Sequence, residues 1–373
     1  MLKNSEIFSA SDYAYMSQAL KLAEKGLYTT SPNPRVGCVV VKNNRVIGRG
    51  WHERAGQPHA EINALCSADD TVRNATVYVT LEPCSHYGRT PPCTEALIHA
   101  GVARVVIAML DPNPLVAGNG AARLRDAGVM VQSGLLEAQA SALNIGFVSR
   151  MTRHRPWIRL KIAASLDGKT ALENGISQWI TSEPARLDAH RLRALSCAIL
   201  TGIGTVKKDD PQLTVRHVET TRQPLRVVID SRLDISADAK LLQGSKILIF
   251  TAAPDESRKK LLEEKGVKVM MLPTHGGKVD LTQMMVKLAD FEINEVLVEA
   301  GSTLAGALVQ EELVDELVIY LAPCVLGDKA QGMLNLPMLT RLSDKHKLEL
   351  TDLRMIGQDI RVTAKFSSLE LND

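Results

Sequence analysis

Four side chains from three short stretches constrain this chain more than any others: His59 and Glu61 in His-Ala-Glu, Cys84 after Pro83, and Cys93 after Pro91-Pro92. One imidazole and two thiols suit a zinc ion, and a carboxylate two residues from the His stands beside such an ion without binding it. The fold must then bring separate segments to one point. Residues two apart do not share a helix face, so His59 and Glu61 converge only near a helix start. Ile62, Leu65 and Cys66 give the spacing of a short helix beginning at about His59, and Thr94 to Ile98 continue a second helix that opens with proline in its first turn. Two helix starts would flank one ion, and their positive ends favour deprotonated thiols. A closed structural site needs a fourth ligand, for which Cys66 and His86 are the nearest candidates. Three ligands with Glu61 alongside leave a position for water and predict hydrolytic deamination.

Around that site the pattern is α/β. Met16, Leu20, Ala23 and Leu27 mark one side of a first helix, with Gly26 as its stop. Strands follow at 36–41, 46–50, 76–81, 104–109 and 129–132, several apolar throughout and so covered on both faces, as in a three-layer domain. An apolar helix from Leu135 to Val148 precedes the basic, polar stretch Met151 to Pro156, which places a domain boundary between residues 152 and 153. The second domain, 153–373, alternates again, with strands near 158–163, 198–201, 226–230, 246–250, 267–271, 295–299 and 316–321, and predicts a mostly parallel sheet. It carries no G-x-G-x-x-G dinucleotide fingerprint.

Composition narrows the classes. Lys and Arg number 44 against 42 Asp and Glu, so no global positive field points to a nucleic acid, and phosphate contacts must be local. Six cysteines without a signal-like start, and no long apolar run, predict a reduced cytoplasmic protein that does not cross a membrane. A zinc-stabilised interaction module with no chemistry competes with this reading, as do two others: a base deaminase whose second half grips RNA, and a second half that only binds a phosphorylated nucleoside and regulates the first. The near-neutral charge counts against the RNA reading.

The segment P-C-S-H-Y-G-R-T-P-P-C at 83–93, with H-A-E before it, resembles the deaminase half of the bifunctional riboflavin-biosynthesis deaminase/reductase family. Its eight residues between the thiols replace the two found in many zinc deaminases. L-K-I-A-A-S-L-D-G-K-T (160–170), S-Q-W-I-T (177–181), G-I-G-T-V-K-K-D-D-P-Q-L-T-V-R (202–216) and V-L-V-E-A-G-S-T-L (296–304) resemble the reductase half. Only the region from about Asp255 to Asp290 is weakly placed. The resemblance implies a cytidine-deaminase-like first domain and a dihydrofolate-reductase-like second domain, with zinc and NADPH as cofactors. It implies a phosphorylated diaminopyrimidinone as substrate, whose 2-amino group is hydrolysed before the ribosyl group is reduced to ribityl. A homo-oligomer is expected.

The resemblance also distributes roles. His59, Cys84 and Cys93 hold the metal and Glu61 shuttles protons; Asn33, His52, His86, Arg89 and Thr90 meet the deaminase substrate. Arg89 is the best placed of these for a phosphate. Ala163, Trp179, Thr205, Asp209, Ser231, Gly301 and Ser302 match positions that contact the dinucleotide, and Ser177, Arg193, Leu213, Arg216 and Glu299 match positions around the ribose phosphate and sugar. The residues alone leave other readings open: Asn33 as a turn residue between prolines, Trp179 as core, and Gly301 as an ordinary turn. Lys161 is unusual in a buried sheet without a partner, so it is expected to polarise the opened sugar or to pair with Glu299.

Overall fold

The computed structural model describes residues 8–86, 91–114, 116–244, 246–253, 255–274 and 276–366. Arg89 and Thr90 lie outside them. The chain divides into two compact units, Met1–His154 and Arg155–Asp373.

In the first unit α1 (Ala10–Glu24) begins at a capping box in which Ser9 and Asp12 satisfy each other's backbone N–H groups. Asp12 is buried, accepts from Tyr78 Oη at 2.6 Å and from Arg104 Nη1 at 2.8 Å, and so ties α1 to the sheet. Burial raises its carboxyl, but these bonds outweigh that and hold it well below the usual carboxylate range. The buried face of α1 is Asp12, Met16, Ala19, Leu22 and Ala23. Leu20 is only half-buried and Leu27 lies past the helix end, so the expected apolar side is shifted by part of a turn.

There follow β1 (Gly37–Lys42), β2 (Arg45–Trp51), α2 (Ala60–Cys66), β3 (Thr76–Leu81), α3 (Cys93–His99), β4 (Arg104–Met109), α4 (Asn119–Asp126), β5 (Met130–Ser133), α5 (Glu137–Leu143) and α6 (Ile145–Arg153). The sheet order is β2-β1-β3-β4-β5, antiparallel from β2 to β3 and parallel from β3 to β5. β1, β3 and β4 are buried along almost their whole length, as their unbroken apolar runs require. The single helix read from Leu135 to Val148 is two: Asn144 interrupts it, pairing its side chain with both backbone groups of Arg35, and α6 runs on through Arg153 into the basic stretch.

Helix α2 sits directly on strand β2. A Cβ at Gly50 would lie 2.3 Å from Ala64 N and 2.4 Å from Ala60 O, and one at Gly48 2.3 Å from Ala64 O. We therefore expect Gly50→Ala to destabilise the first unit by about 3 kcal/mol, measured by denaturant unfolding, because the obstructing atoms are helix backbone that cannot rotate aside. A wild-type midpoint would refute the close approach.

The second unit contains β6 (Trp157–Ser165), β7 (Lys169–Ala171), α7 (Glu183–Leu195), β8 (Ala198–Gly202), α8 (Ile203–Asp209), β9 (Leu225–Ile229), β10 (Ile247–Thr251), α9 (Glu256–Glu264), β11 (Val267–Met271), α10 (Leu281–Asp290), β12 (Glu295–Val298), α11 (Ser302–Gln310), β13 (Glu316–Ala322), β14 (Gln331–Gly332), β15 (Leu348–Ile356) and β16 (Asp359–Phe366). Nine strands form one sheet in the order β11-β10-β9-β8-β12-β6-β13-β16-β15. It is parallel from β11 to β13, as the alternating pattern predicts, and closes with the antiparallel hairpin β15–β16, which the pattern does not reveal. β7 and β14 pair as a separate small ribbon. Ile158, Leu160, Leu200, Val227, Phe250, Leu288 and Val298 belong to the main apolar core of this unit.

Candidate active sites

The strand β3 delivers Cys84 through Glu82 and Pro83, and the two short helices deliver the rest: His59 caps α2, Glu61 lies in its first turn, and Cys93 opens α3. Proline is the residue before α3 rather than within its first turn, the only shift from the expected start. His59 Nδ1 lies 3.6 Å from Cys84 Sγ and 3.3 Å from Cys93 Sγ, and the three ligand atoms lie within 4.8 Å of one another. Tetrahedral zinc bonded at ordinary lengths separates nitrogen and sulfur by roughly 3.6 Å. Both nitrogen–sulfur separations suit that ion.

Cys93 donates to Cys84, whose thiol is lowered to about 4 by that bond and by its bonds from His59 and the Cys93 N–H, while the same sharing and burial push Cys93 up. Two adjacent thiols beside an imidazole are a donor set that a divalent cation binds with both thiols deprotonated. Glu61 is 3% exposed, and burial pushes its carboxyl up to about 7 against the lowering by its own N–H, by His59 and by the Cys93 thiol. Its side chain thus faces the ligand set from the interior.

Asn33 and His52 are brought together here. Asn33 Nδ2 lies 3.1 Å from His52 Nε2, and His52 Nδ1 lies 3.1 Å from the carbonyl of Pro58. A carbonyl only accepts, so Nδ1 carries the proton and Nε2 accepts from Asn33. Burial is the main reason the His52 imidazole is drawn below its ordinary value. His52 is itself buried, and its ring stands edge-on to that of His59 with centroids 5.5 Å apart. His86 is exposed on the loop after Cys84.

Sequence reasoning did not single out Glu82. It is buried and accepts from the backbone N–H groups of Asp111 at 3.0 Å, Gly118 at 2.9 Å and Ala121 at 2.9 Å, which fixes a neighbouring loop against Pro83-Cys84. A carboxylate closing an apolar strand was its only signal.

In the second unit Thr205, Ser231 and Glu299 to Ser302 stand just past the carboxyl ends of parallel strands, the usual place for a ligand in such a sheet. Thr205 follows β8, Ser231 follows β9, and Glu299 to Ser302 follow β12. The Gly301 N–H donates to Thr205 Oγ1 at 3.2 Å, joining two of the expected cofactor positions. Ser231 uses its carbonyl to accept from Ala252 and Ala253, and Ala163 lies in register with Tyr320. Asp209 ends α8, exposed, and Ser177 is half-buried. Trp179 is 71% exposed with the Arg186 guanidinium 4.7 Å from its ring, so the core reading does not describe it.

Glu299 pairs with Arg193, not Lys161. Arg193 Nε and Nη2 reach Glu299 Oε1 and Oε2 at 2.6 and 2.9 Å, a fork-to-fork match that an ammonium cannot make. Burial raises the Glu299 carboxyl, but Arg193 and then Lys161 outweigh it and hold it at about 2. Lys161 lies in β6 with its amine 5.9 Å from the Tyr320 ring centroid, and burial draws its pKa down while Glu299 draws it up. Leu213 is buried with φ +50°, and Arg216 is exposed beside it.

Residues 9–109 match the family described as the cytidine and deoxycytidylate deaminase zinc-binding region, and residues 156–362 match the RibD C-terminal domain. The riboflavin biosynthesis protein RibD of Escherichia coli K12 is 48% identical over 361 residues, spanning 94% of this chain and 98% of that protein. Among solved structures, Acinetobacter baumannii RibD (form 1) aligns with a TM-score of 0.90 at 43% identity, over 96% of this chain and 99% of its own. The diaminohydroxyphosphoribosylaminopyrimidine deaminase/5-amino-6-(5-phosphoribosylamino)uracil reductase of Thermotoga maritima aligns with a TM-score of 0.85 at 33% identity, over 96% and 99%.

Proposed function

The chain belongs to the RibD family of riboflavin biosynthesis proteins, and from that premise we propose that it is a bifunctional enzyme, a zinc-dependent deaminase in Met1–His154 and an NADPH-dependent reductase in Arg155–Asp373. The substrate is 2,5-diamino-6-(5-phosphoribosylamino)pyrimidin-4(3H)-one, and the second step reduces the ribosyl group of 5-amino-6-(5-phosphoribosylamino)uracil. The observation that carries this reading is the His59, Cys84 and Cys93 triangle with a buried Glu61 beside it.

His59, Cys84 and Cys93 would hold a zinc ion, which would supply an acidified water when bound. Glu61 takes one proton from the attacking water and gives it to the ring nitrogen as the C–O bond forms, then takes a second from the new hydroxyl and gives it to the amine, whose C–N bond breaks to release ammonia. Asn33, oriented by His52, holds the pyrimidine edge. His86 lies on the loop beside the metal, and Arg89 and Thr90 belong by sequence to the same loop, which receives the phosphate. In the reductase half NADPH, when bound, would supply the hydride. Thr205, Gly301 and Ser302 cradle its pyrophosphate, with Ala163, Trp179, Asp209 and Ser231 completing the dinucleotide contacts. Glu299, set by Arg193, accepts from the sugar hydroxyls. Lys161, beside Glu299, polarises the opened sugar, while Ser177, Leu213 and Arg216 surround the ribose phosphate.

Full-length protein given zinc, NADPH and the diaminopyrimidinone phosphate should release ammonia first and oxidise NADPH afterwards. Ammonia without NADPH oxidation would make the second unit a regulator, and neither would remove both activities.

Self-association is part of this reading. β15 is the edge strand of the nine-stranded sheet and leaves Leu350 and Leu353 65% exposed and Met355 60% exposed, a surface that an isolated chain rarely presents. Light scattering should find more than one chain per particle, and Leu353→Asp should lower that number. A monomeric wild-type protein contradicts it. Among the described residues no helix is long and apolar enough to cross a membrane; the proposed location is the cytoplasm.

A further inference from the structure

Between α8 and β9 the segment Gln212–His217 has no regular structure, yet Leu213 and Val215 are buried and Leu213 and His217 take positive φ values of +50° and +61°. Buried peptide groups outside a ladder need partners, and here side chains provide them in succession. Arg193 Nη1 donates to Thr214 O at 3.1 Å. Gln223 takes both groups of Val215, accepting its N–H at 2.8 Å and donating to its carbonyl at 3.2 Å. The Arg216 N–H donates to His190 Nδ1 at 3.1 Å. Among the described residues the Arg216 guanidinium hydrogen-bonds within its own segment, to Gln212 Oε1 and Thr214 Oγ1, each at 3.2 Å, and the side chain is exposed.

His190 is suited to that task. It is 7% exposed and stands on α7 three residues before Arg193, on the same face. Accepting at Nδ1 requires a ring whose proton sits on Nε2. Burial first, and then the charges of Arg193 and Arg216, hold the ring at about 4 against the opposing pull of Glu299, with His217 packed edge-on at 5.5 Å. The imidazole therefore stays an acceptor.

We propose that His190, assisted by Gln223, is a positioning residue that fixes the Arg216 backbone so that its guanidinium meets the substrate's phosphate. His190 acts on affinity for the phosphorylated substrate, not on hydride transfer. This rests on the reading of Arg216 as a phosphate contact.

The test is the reductase reaction of the full chain with NADPH and the phosphorylated deaminated intermediate. His190→Ala should raise KM about tenfold, the worth of one hydrogen bond that orders a charged group, and leave kcat unchanged. His190→Asn, whose amide oxygen replaces Nδ1, should restore most of the loss, and His190→Ala should add nothing in an Arg216→Met background. Gln223→Leu should raise KM in the same way, which keeps the test open if His190→Ala does not fold. A raised KM in Arg216→Met with wild-type values in His190→Ala or Gln223→Leu overturns the positioning role alone. An unchanged KM in Arg216→Met overturns the phosphate reading and the proposal with it. An equal His190→Ala penalty with and without Arg216, or a fall in kcat at constant KM, overturns the proposal while leaving Arg216 in place.

Discussion

Glu61→Gln should lower ammonia release by about 10²–10⁴-fold, the usual worth of a positioned general acid–base group. Zinc content and reduction of the deaminated intermediate should stay at wild-type levels. Gln keeps the size and the hydrogen-bonding reach of the side chain but cannot take up a proton at neutral pH, so the variant separates proton transfer from packing. The distinction matters because Glu61 is 3% exposed and touches the ligand set through Cys93. Cys84→Ser supplies the contrast: it removes a ligand of the His59–Cys84–Cys93 triangle, so metal and deamination should fall together. Metal content by mass spectrometry and ammonia by a coupled assay decide the matter. A Glu61→Gln protein within threefold of wild type would mean that the carboxylate is structural.

The candidate metal cluster was legible because its information is local. His59 and Glu61 lie in one helix start, and Cys93 opens another, so short-range apolar spacing was enough to place them. β1, β3 and β4 were legible for a related reason: strands buried on both faces read as continuous apolar runs. Where the determining partner is distant, the pattern fell silent. Asn144 splits α5 from α6 by bonding to Arg35, 109 residues away, and nothing near it announces the break. β15 and β16 were missed because β15 is exposed on both sides and mixes Leu and Met with Glu, Asp and Arg, which leaves no alternation for burial to impose. The Arg193–Glu299 fork joins positions 106 apart and could not be chosen over Lys161–Glu299 from sequence. The clamp on Gln212–His217 depends on positive φ at residues other than glycine, which no residue preference foretells.

Arg193→Met should destabilise the second unit by about 3–5 kcal/mol, because it leaves a carboxylate desolvated without its partner. For a unit of this size that corresponds to a fall in Tm of about 6–20 °C. Both side chains of the pair are only 14% exposed, so solvent screening is weak, and the Thr214 carbonyl loses its donor in the same change. The sign of the acid response follows from the direction of the shift. Glu299 is lowered from its ordinary 4.5 to about 2 on folding, so its contribution is fully present above pH 4.5 and is lost as pH falls toward 2. The wild type should therefore lose part of its stability in that window. In Arg193→Met the carboxyl rises instead, and the variant should lose less on acidification, so the two unfolding curves converge at low pH. Arg193→Met/Glu299→Gln should recover part of the stability at neutral pH by removing the stranded charge, although not the reductase activity, since Glu299 is the proposed contact to the sugar. Calorimetry at neutral pH and near pH 3.5 measures each term. A gap between wild type and Arg193→Met that stays constant across that range would mean that the fork does not hold Glu299 ionised.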